Sequence, residues 1–334
     1  MNKKKLRQQE LLQKPVIVWI GALICCALWG SAFPMIKLGY SFLQIPQSDT
    51  ATQILFAGYR FTISGILTIA GASIFSRKLL LPQKSSAGKI MWLCLLQTVV
   101  QYIFFYIGLA NASGVKSSIM EATNVFFSIL IAALLFRQEK LDAKKIIGCL
   151  VGFAGVVFVN LQGGRLDTNM SFFGEGFIVL SALSYGFSSV YLKIFSKKEN
   201  PVMLSGYQFL AGGIILSAIG LGFGGHLTDF NIKGILVLLY LAFVSAMAYG
   251  LWGMLLKYNT MSKVAVFGFM NPVFGVILSA LLLKESAQAF GIKSLVALIF
   301  VCTGIYIVNR TKPFFLKKNP EKSLEKEATQ GQES

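Results

Sequence analysis

Ten stretches of this chain are apolar over about the length that crosses a bilayer, and little sequence is left between them for anything else. They run approximately over 16–38, 52–75, 89–110, 115–136, 145–161, 172–194, 202–221, 232–255, 262–283 and 289–309. Roughly 17 to 25 helical residues span the hydrocarbon, and only helices or closed barrels satisfy their backbone groups there. No stretch alternates apolar and polar residues as a barrel strand does, so all ten are read as helices. A soluble domain carries roughly a quarter charged residues. Here 13% are charged and 55% hydrophobic, with a mean hydropathy of +0.66. The expected fold class is therefore all-α integral membrane.

The same composition narrows the function. With one histidine, His226, imidazole metal clusters are excluded, and the five cysteines lie inside apolar runs as small packing residues. No phosphate loop of the Gly-x-x-x-x-Gly-Lys-Ser/Thr type is present, and HExxH and GxSxG patterns are missing too. No enzyme, metal or cofactor is expected. The formal charge of +17 comes from loops and chain ends rather than one basic stripe, so a nucleic-acid partner is not expected either. Residues 1–15 are basic and precede an apolar run with no Ala-x-Ala site, which reads as an anchor and not a cleaved signal. If the N-terminus is inside, the outer loops hold only Lys37, Lys116, Arg165, Lys233, Lys284 and Lys293 of the 31 Lys and Arg. The positive-inside rule then places both ends in the cytoplasm, with the chain in the plasma membrane and 310–334 a disordered tail.

The chain also repeats itself. Lys263 to Lys284 aligns without a gap on Lys116 to Arg137, bringing Asn271 onto Asn124 and Phe274 onto Phe127. Gly58-Tyr59-Arg60-Phe61 with Gly65 matches Gly206-Tyr207-Gln208-Phe209 with Gly213. Trp29-Gly30 with Lys37 matches Tyr185-Gly186 with Lys193, Tyr102 falls opposite Tyr249, and Gly155 and Asn160 fall opposite Gly304 and Asn309. Two five-helix repeats, 16–161 and 172–309, are therefore expected. Because five is odd they enter the membrane from opposite sides, the signature of alternating-access carriers with a site at the seam.

Polar residues inside the spans are the candidate site. Glu121 lies about six residues into span four, where an ionised group costs roughly 2.5 to 3.5 kcal/mol on insertion scales. Ser117, Glu121, Asn124 and Ser128 share one helical face. The second copy has Gly268 in place of the acid. Arg60 sits at a similar depth, roughly 9 to 12 Å, in span two, and an Arg60–Glu121 pair is expected. The pair would be a structural bridge, a gate, or a carboxylate that takes a substrate amine or a proton. Asn124 and Asn271 offer amides near mid-membrane. Gln97 and Gln101 form a polar face on span three, and Ser181, Ser184 and Ser188 form one on span six. Trp29, Tyr185, Tyr102, Tyr249 and Trp252 lie well inside spans as cavity walls or core, whereas Trp19 and Trp92 read as interface anchors. Gly148 and Gly152 suit close helix packing.

Trp29-Gly30-Ser31-Ala32-Phe33 with Lys37, Arg60-Phe61, Asn271-Pro272, and Glu139 and Glu285 closing spans four and nine resemble EamA-type members of the drug/metabolite transporter superfamily. The resemblance covers 16–310. It implies ten helices around a cavity lined by spans one to four and six to nine, and a secondary carrier that often exports amino acids or related metabolites. Asn124-Val125 stands where the family commonly has a proline, so a mid-membrane break is expected in span nine alone. The expected function is export of a small polar metabolite, with protons as a candidate second substrate and the lipid bilayer as partner. A monomer and a homodimer both stay open. The alternatives are a channel-like or facilitative permease for a nucleotide-, sugar- or drug-like solute, and a non-transporting sensor.

Overall fold

The computed structural model describes residues 9–46, 48–112, 120–160, 171–228, 231–282 and 292–310, and all regular structure among them is helical. Helix α1 is Pro15–Phe42 and α2 is Thr50–Ser76. Helix α3 runs Ala87–Leu93, widens into a π-helical stretch at Cys94–Val100 and continues as Gln101–Asn111. Helix α4 is Asn124–Leu130 followed by π-helical Ile131–Leu135, and α5 is Ala143–Asn160. Helix α6 opens with a π-turn at Phe172–Gly176 and continues as Phe177–Phe195; α7 is Pro201–Gly222 and α8 is Ile232–Tyr258. Helix α9 is Met261–Ala265, a 3-10 stretch Val266–Phe269 and Met270–Leu282, and α10 is Ile292–Asn309. Six of these (α1, α2, α3, α6, α7 and α8) are long and apolar enough to cross a bilayer, and Asn124–Leu135 and Leu295–Asn309 are shorter apolar helices.

Local chemistry sets the ends. The Asp49, Asn200 and Asn231 side chains accept from Thr52, Val202 and Gly234 backbone N–H groups, and Pro201 follows its cap at a position that needs no donor. In α9 the 3-10 stretch precedes Asn271-Pro272, where proline withholds an N–H from the first turn. A break was expected there alone. Helix α4 is also interrupted, by a turn at Ala122 and Thr123 just before Asn124, without any proline. The Thr123 hydroxyl takes the Met120 carbonyl and competes with the backbone ladder.

The helices pack in matched pairs. Helix α2 lies along α7 and α5 along α10, while α1 packs on α8 and α9 as α6 packs on α3 and α4. Lipid tails are as apolar as leucine, so such packing relies on close fit more than on apolar burial. A Cβ on Gly65 would sit 2.8 Å from the Gly206 carbonyl oxygen, and one on Gly213 would sit 2.8 Å from that of Gly58. The backbones touch there. A Cβ on Gly30 would lie 2.5 Å from Phe274 Cβ and one on Gly186 2.9 Å from Phe127 Cβ, again between residues matched in the repeat. Gly148 packs on the backbone of Gly304 and Gly152 on Phe269, so the small residues of α5 serve packing within this chain. Cys25, Cys26, Cys94 and Cys149 are buried and unbridged; Cys302 is free and exposed.

Gly213→Leu is expected to cost about 1–3 kcal/mol through overpacking, because a Cβ there lies 2.3 Å from the Thr62 amide nitrogen. Gly71→Ala, with no neighbour within 4 Å, is expected to gain about 0.4–1 kcal/mol. Thermal unfolding of the purified protein in one detergent reads both signs.

Candidate functional site

A small void of about 10 Å³, room for about one water, lies where α1, α4, α6, α8 and α9 converge. Its walls include Trp29, Asn124, Tyr185, Trp252 and Asn271, all expected from the sequence. They come from helices far apart in the chain. Three lining atoms have no hydrogen-bond partner among the described residues: Trp29 Nε1, Ser189 Oγ and Asn271 Oδ1. Beside them, Asn124 Nδ2 donates to Glu121 Oε1 at 3.4 Å while Glu121 Oε2 is buried without a partner. A buried polar group left unmatched costs about 1–3 kcal/mol; three such atoms line the void, and the fourth belongs to Glu121, whose partner Asn124 lines it. Two are acceptors, one a donor and one either.

Aromatic rings close the void. Trp29 meets Tyr249 edge-on at 5.1 Å and Trp252 at 5.0 Å. The Tyr102 and Tyr249 hydroxyls lie 3.4 Å apart, so Tyr249 supports the wall from behind without lining it. Gly268, which replaces the acid in the second copy, lines the void, and a Cβ there would meet Val125 Cγ2 at 2.9 Å.

Other expected residues lie elsewhere. The Arg60–Glu121 pair is not formed: among the described residues the ion pairs are Lys89–Glu199 and Lys145–Glu139. Arg60, only 3% exposed, donates from Nε to Ser245 Oγ at 3.1 Å and lies 5.2 Å from the Phe61 ring centre. It faces α8, while Glu121 is held by its own helix. Gln97 is taken up by Gln208, which donates to it at 3.1 Å and accepts from Thr98 at 2.6 Å. The Arg60–Ser245 and Gln208–Thr98 bonds thus join residues matched in the sequence repeat. Gln101 is buried outside the void with Oε1 unmatched. Ser188 donates to the Tyr185 carbonyl of its own helix, and Ser184 donates to the Leu96 carbonyl. Ser189 takes the place expected of Ser188; four residues after Tyr185, it shares that residue's face. Ser117, Lys116 and Glu285 lie outside the described residues.

At the end of the bundle where α1 begins and α10 ends, polar ties join elements distant in sequence. Glu139 accepts from the Ser262 amide at 3.0 Å and from Lys145 Nζ at 3.1 Å, with both charged groups buried. Lys193 donates to the Asn259 carbonyl. Glu199 accepts from Lys89 at 2.7 Å and Ser86 at 2.9 Å, and the Lys89 bond holds its carboxyl below the usual range. A depressed carboxylate stabilises the fold above its unfolded pKa and loses that contribution as pH falls through the folded value. This tie weakens in acid.

An all-helical body of membrane-span helices closed over an unmatched polar pocket has the form of a multi-pass membrane transporter. The sequence profile of the EamA-like transporter family matches residues 16–161 and 172–310, and the chain belongs to that family. It is 27% identical over 298 residues to a protein of Escherichia coli named a probable amino-acid metabolite efflux pump, covering 86% of this chain and 92% of that one. It is 28% identical over 264 residues to a WAT1-related chloroplastic protein of Arabidopsis thaliana, covering 76% of this chain but 62% of that longer relative. A solved crystal structure superposes with a TM-score of 0.68 at 19% identity, covering 87% of this chain and 95% of that one, a likeness of fold.

Asn271→Leu is close in volume and removes an unmatched acceptor. It is expected to raise the thermal midpoint while lowering transport at least roughly tenfold, about 1.4 kcal/mol. Parallel unfolding and flux measurements on one preparation check both.

Proposed function

We propose that this chain is a secondary carrier that exports a small polar metabolite, an amino acid or a close relative, across the plasma membrane by alternating access. In this reading ten transmembrane helices form two inverted five-helix repeats, 16–161 and 172–309. The segment 1–15 and the tail 310–334 lie in the cytoplasm. The observation that carries the proposal is the cluster of unmatched buried atoms at the seam. Trp29 Nε1 and the Ser189 hydroxyl suit a carboxylate; Asn271 Oδ1 and the free oxygen of Glu121 suit an ammonium group. The rings of Trp29, Tyr185 and Trp252 offer an apolar wall for a side chain.

The reciprocal contacts of matched residues support the inverted arrangement, since each half touches the other through equivalent positions. The name of the Escherichia coli relative agrees with the substrate class. A void the size of one water belongs to a closed state, so the solute enters only when one end of the bundle opens. Glu121 either holds the substrate amine or carries a proton in exchange. No phosphate loop exists to couple ATP.

Reconstituted vesicles test this. Uptake of a labelled amino acid is expected to saturate and to be accelerated by unlabelled amino acid on the far side, as a carrier requires. Glu121→Gln is expected to remove the dependence on an imposed pH gradient. Linear flux without counterflow would contradict the carrier, and transport and its pH dependence both unchanged in Glu121→Gln would contradict the role of Glu121.

A further inference from the structure

A second recess is roomier than the central void. Of about 130 Å³, it opens where α1 begins and α10 ends, with Gln13, Trp19, Lys263, Tyr306, Asn309 and Arg310 in its walls. Its amides are already committed: Gln13 donates to the Tyr258 carbonyl at 3.0 Å and Asn309 to the Ile305 carbonyl at 3.0 Å. Its cations are not. Neither Lys263 nor Arg310 meets a carboxylate among the described residues; the Arg310 guanidinium lies over the Tyr306 ring at 4.8 Å.

Two apolar stripes lead away from this basic mouth. On α1, Val16, Ile20 and Ile24 are exposed at helical spacing, and on α10 Leu295, Ile299 and Tyr306 are. Helix α1 packs mainly on α8 and α9, and α10 mainly on α5 with lighter contacts to α9, so α9 is the element both touch; its Phe267 meets Trp19 edge-on at 5.9 Å. Two unpaired cations at the mouth of an apolar groove match one ligand chemistry: a phosphodiester headgroup with acyl chains. We propose that this recess binds an anionic phospholipid, with Lys263 and Arg310 on the phosphate and the chains along α1 and α10.

Such a lipid would act on the carrier. Lys263 stands between Met261 and Ala265, both in the wall of the central void, and next to Ser262, which Glu139 holds. A headgroup on Lys263 therefore pins the foot of α9 and favours the closed end of the bundle. A basic residue near the membrane surface contributes about 1 kcal/mol toward anionic lipid, so two give a marked preference over a zwitterionic headgroup.

The full-length protein purified in a neutral detergent is titrated with short-chain phosphatidylglycerol, short-chain phosphatidylcholine or inorganic phosphate, and thermal unfolding is followed. Phosphatidylglycerol is expected to raise the midpoint at concentrations where the other two do not. Lys263→Gln with Arg310→Gln is expected to weaken that binding roughly tenfold or more. Lys197→Gln with Lys198→Gln, exposed on the same end but outside the recess, is expected to leave it unchanged. Arg310→Gln alone, at an exposed position, gives the same readout with a smaller loss if the double variant does not fold. Equal stabilisation by phosphatidylcholine, full stabilisation by inorganic phosphate alone, or loss of binding with the Lys197 and Lys198 changes would overturn the proposal.

Discussion

Backbone against backbone at the crossing of α2 and α7 is the constraint on which the rest of the molecule depends. Without a hydrophobic drive between helices in lipid, two spans stay together only where their surfaces fit closely. Gly58, Gly65, Gly206 and Gly213 remove the side chains that would hold the axes apart, so each helix rests on the carbonyls of the other. Helices α3, α6 and α8 pack against that crossing, and α1 packs in turn on α8 and α9. Around them Trp29, Asn124, Tyr185, Trp252 and Asn271 face one small volume.

The pocket is the converse of the crossing. The one is packed to contact; the other leaves donors and acceptors unmatched at a cost in stability. That combination suits a protein whose function is to hold a solute briefly and then release it: a rigid seam for support, and an under-satisfied centre that a polar guest completes. The ties of Glu139 to Ser262 and of Glu199 to Lys89 hold one end together apart from the α2–α7 crossing.

Much of this was legible in the sequence. The expected boundaries of 202–221, drawn from apolar length alone, fall within a residue of Pro201–Gly222, which Asn200 caps. Asn124 and Asn271 were picked out by the repeat, and the structure brings both to the void. Depth and sign alone suggested Arg60 with Glu121. The actual partner, Ser245, is 185 residues away and carries no charge to betray it. Periodicity defined the polar face of α6 but not its rotation, so Ser188 was expected where Ser189 lies. The π-helical stretches of α3 and α4 and the turn before Asn124 were not read from the sequence, because no proline or glycine marks them.

The central claim is that the pocket faces one side of the membrane at a time. In a background with the five cysteines replaced, Asn124→Cys and Asn271→Cys can be labelled with a membrane-impermeant thiol reagent added to one side of oriented vesicles, with and without solute. The account predicts that both sites react together from whichever side is open, and that solute on the opposite side moves both reactivities across in parallel. Simultaneous reaction from both sides, or one site confined to each side throughout, would contradict it.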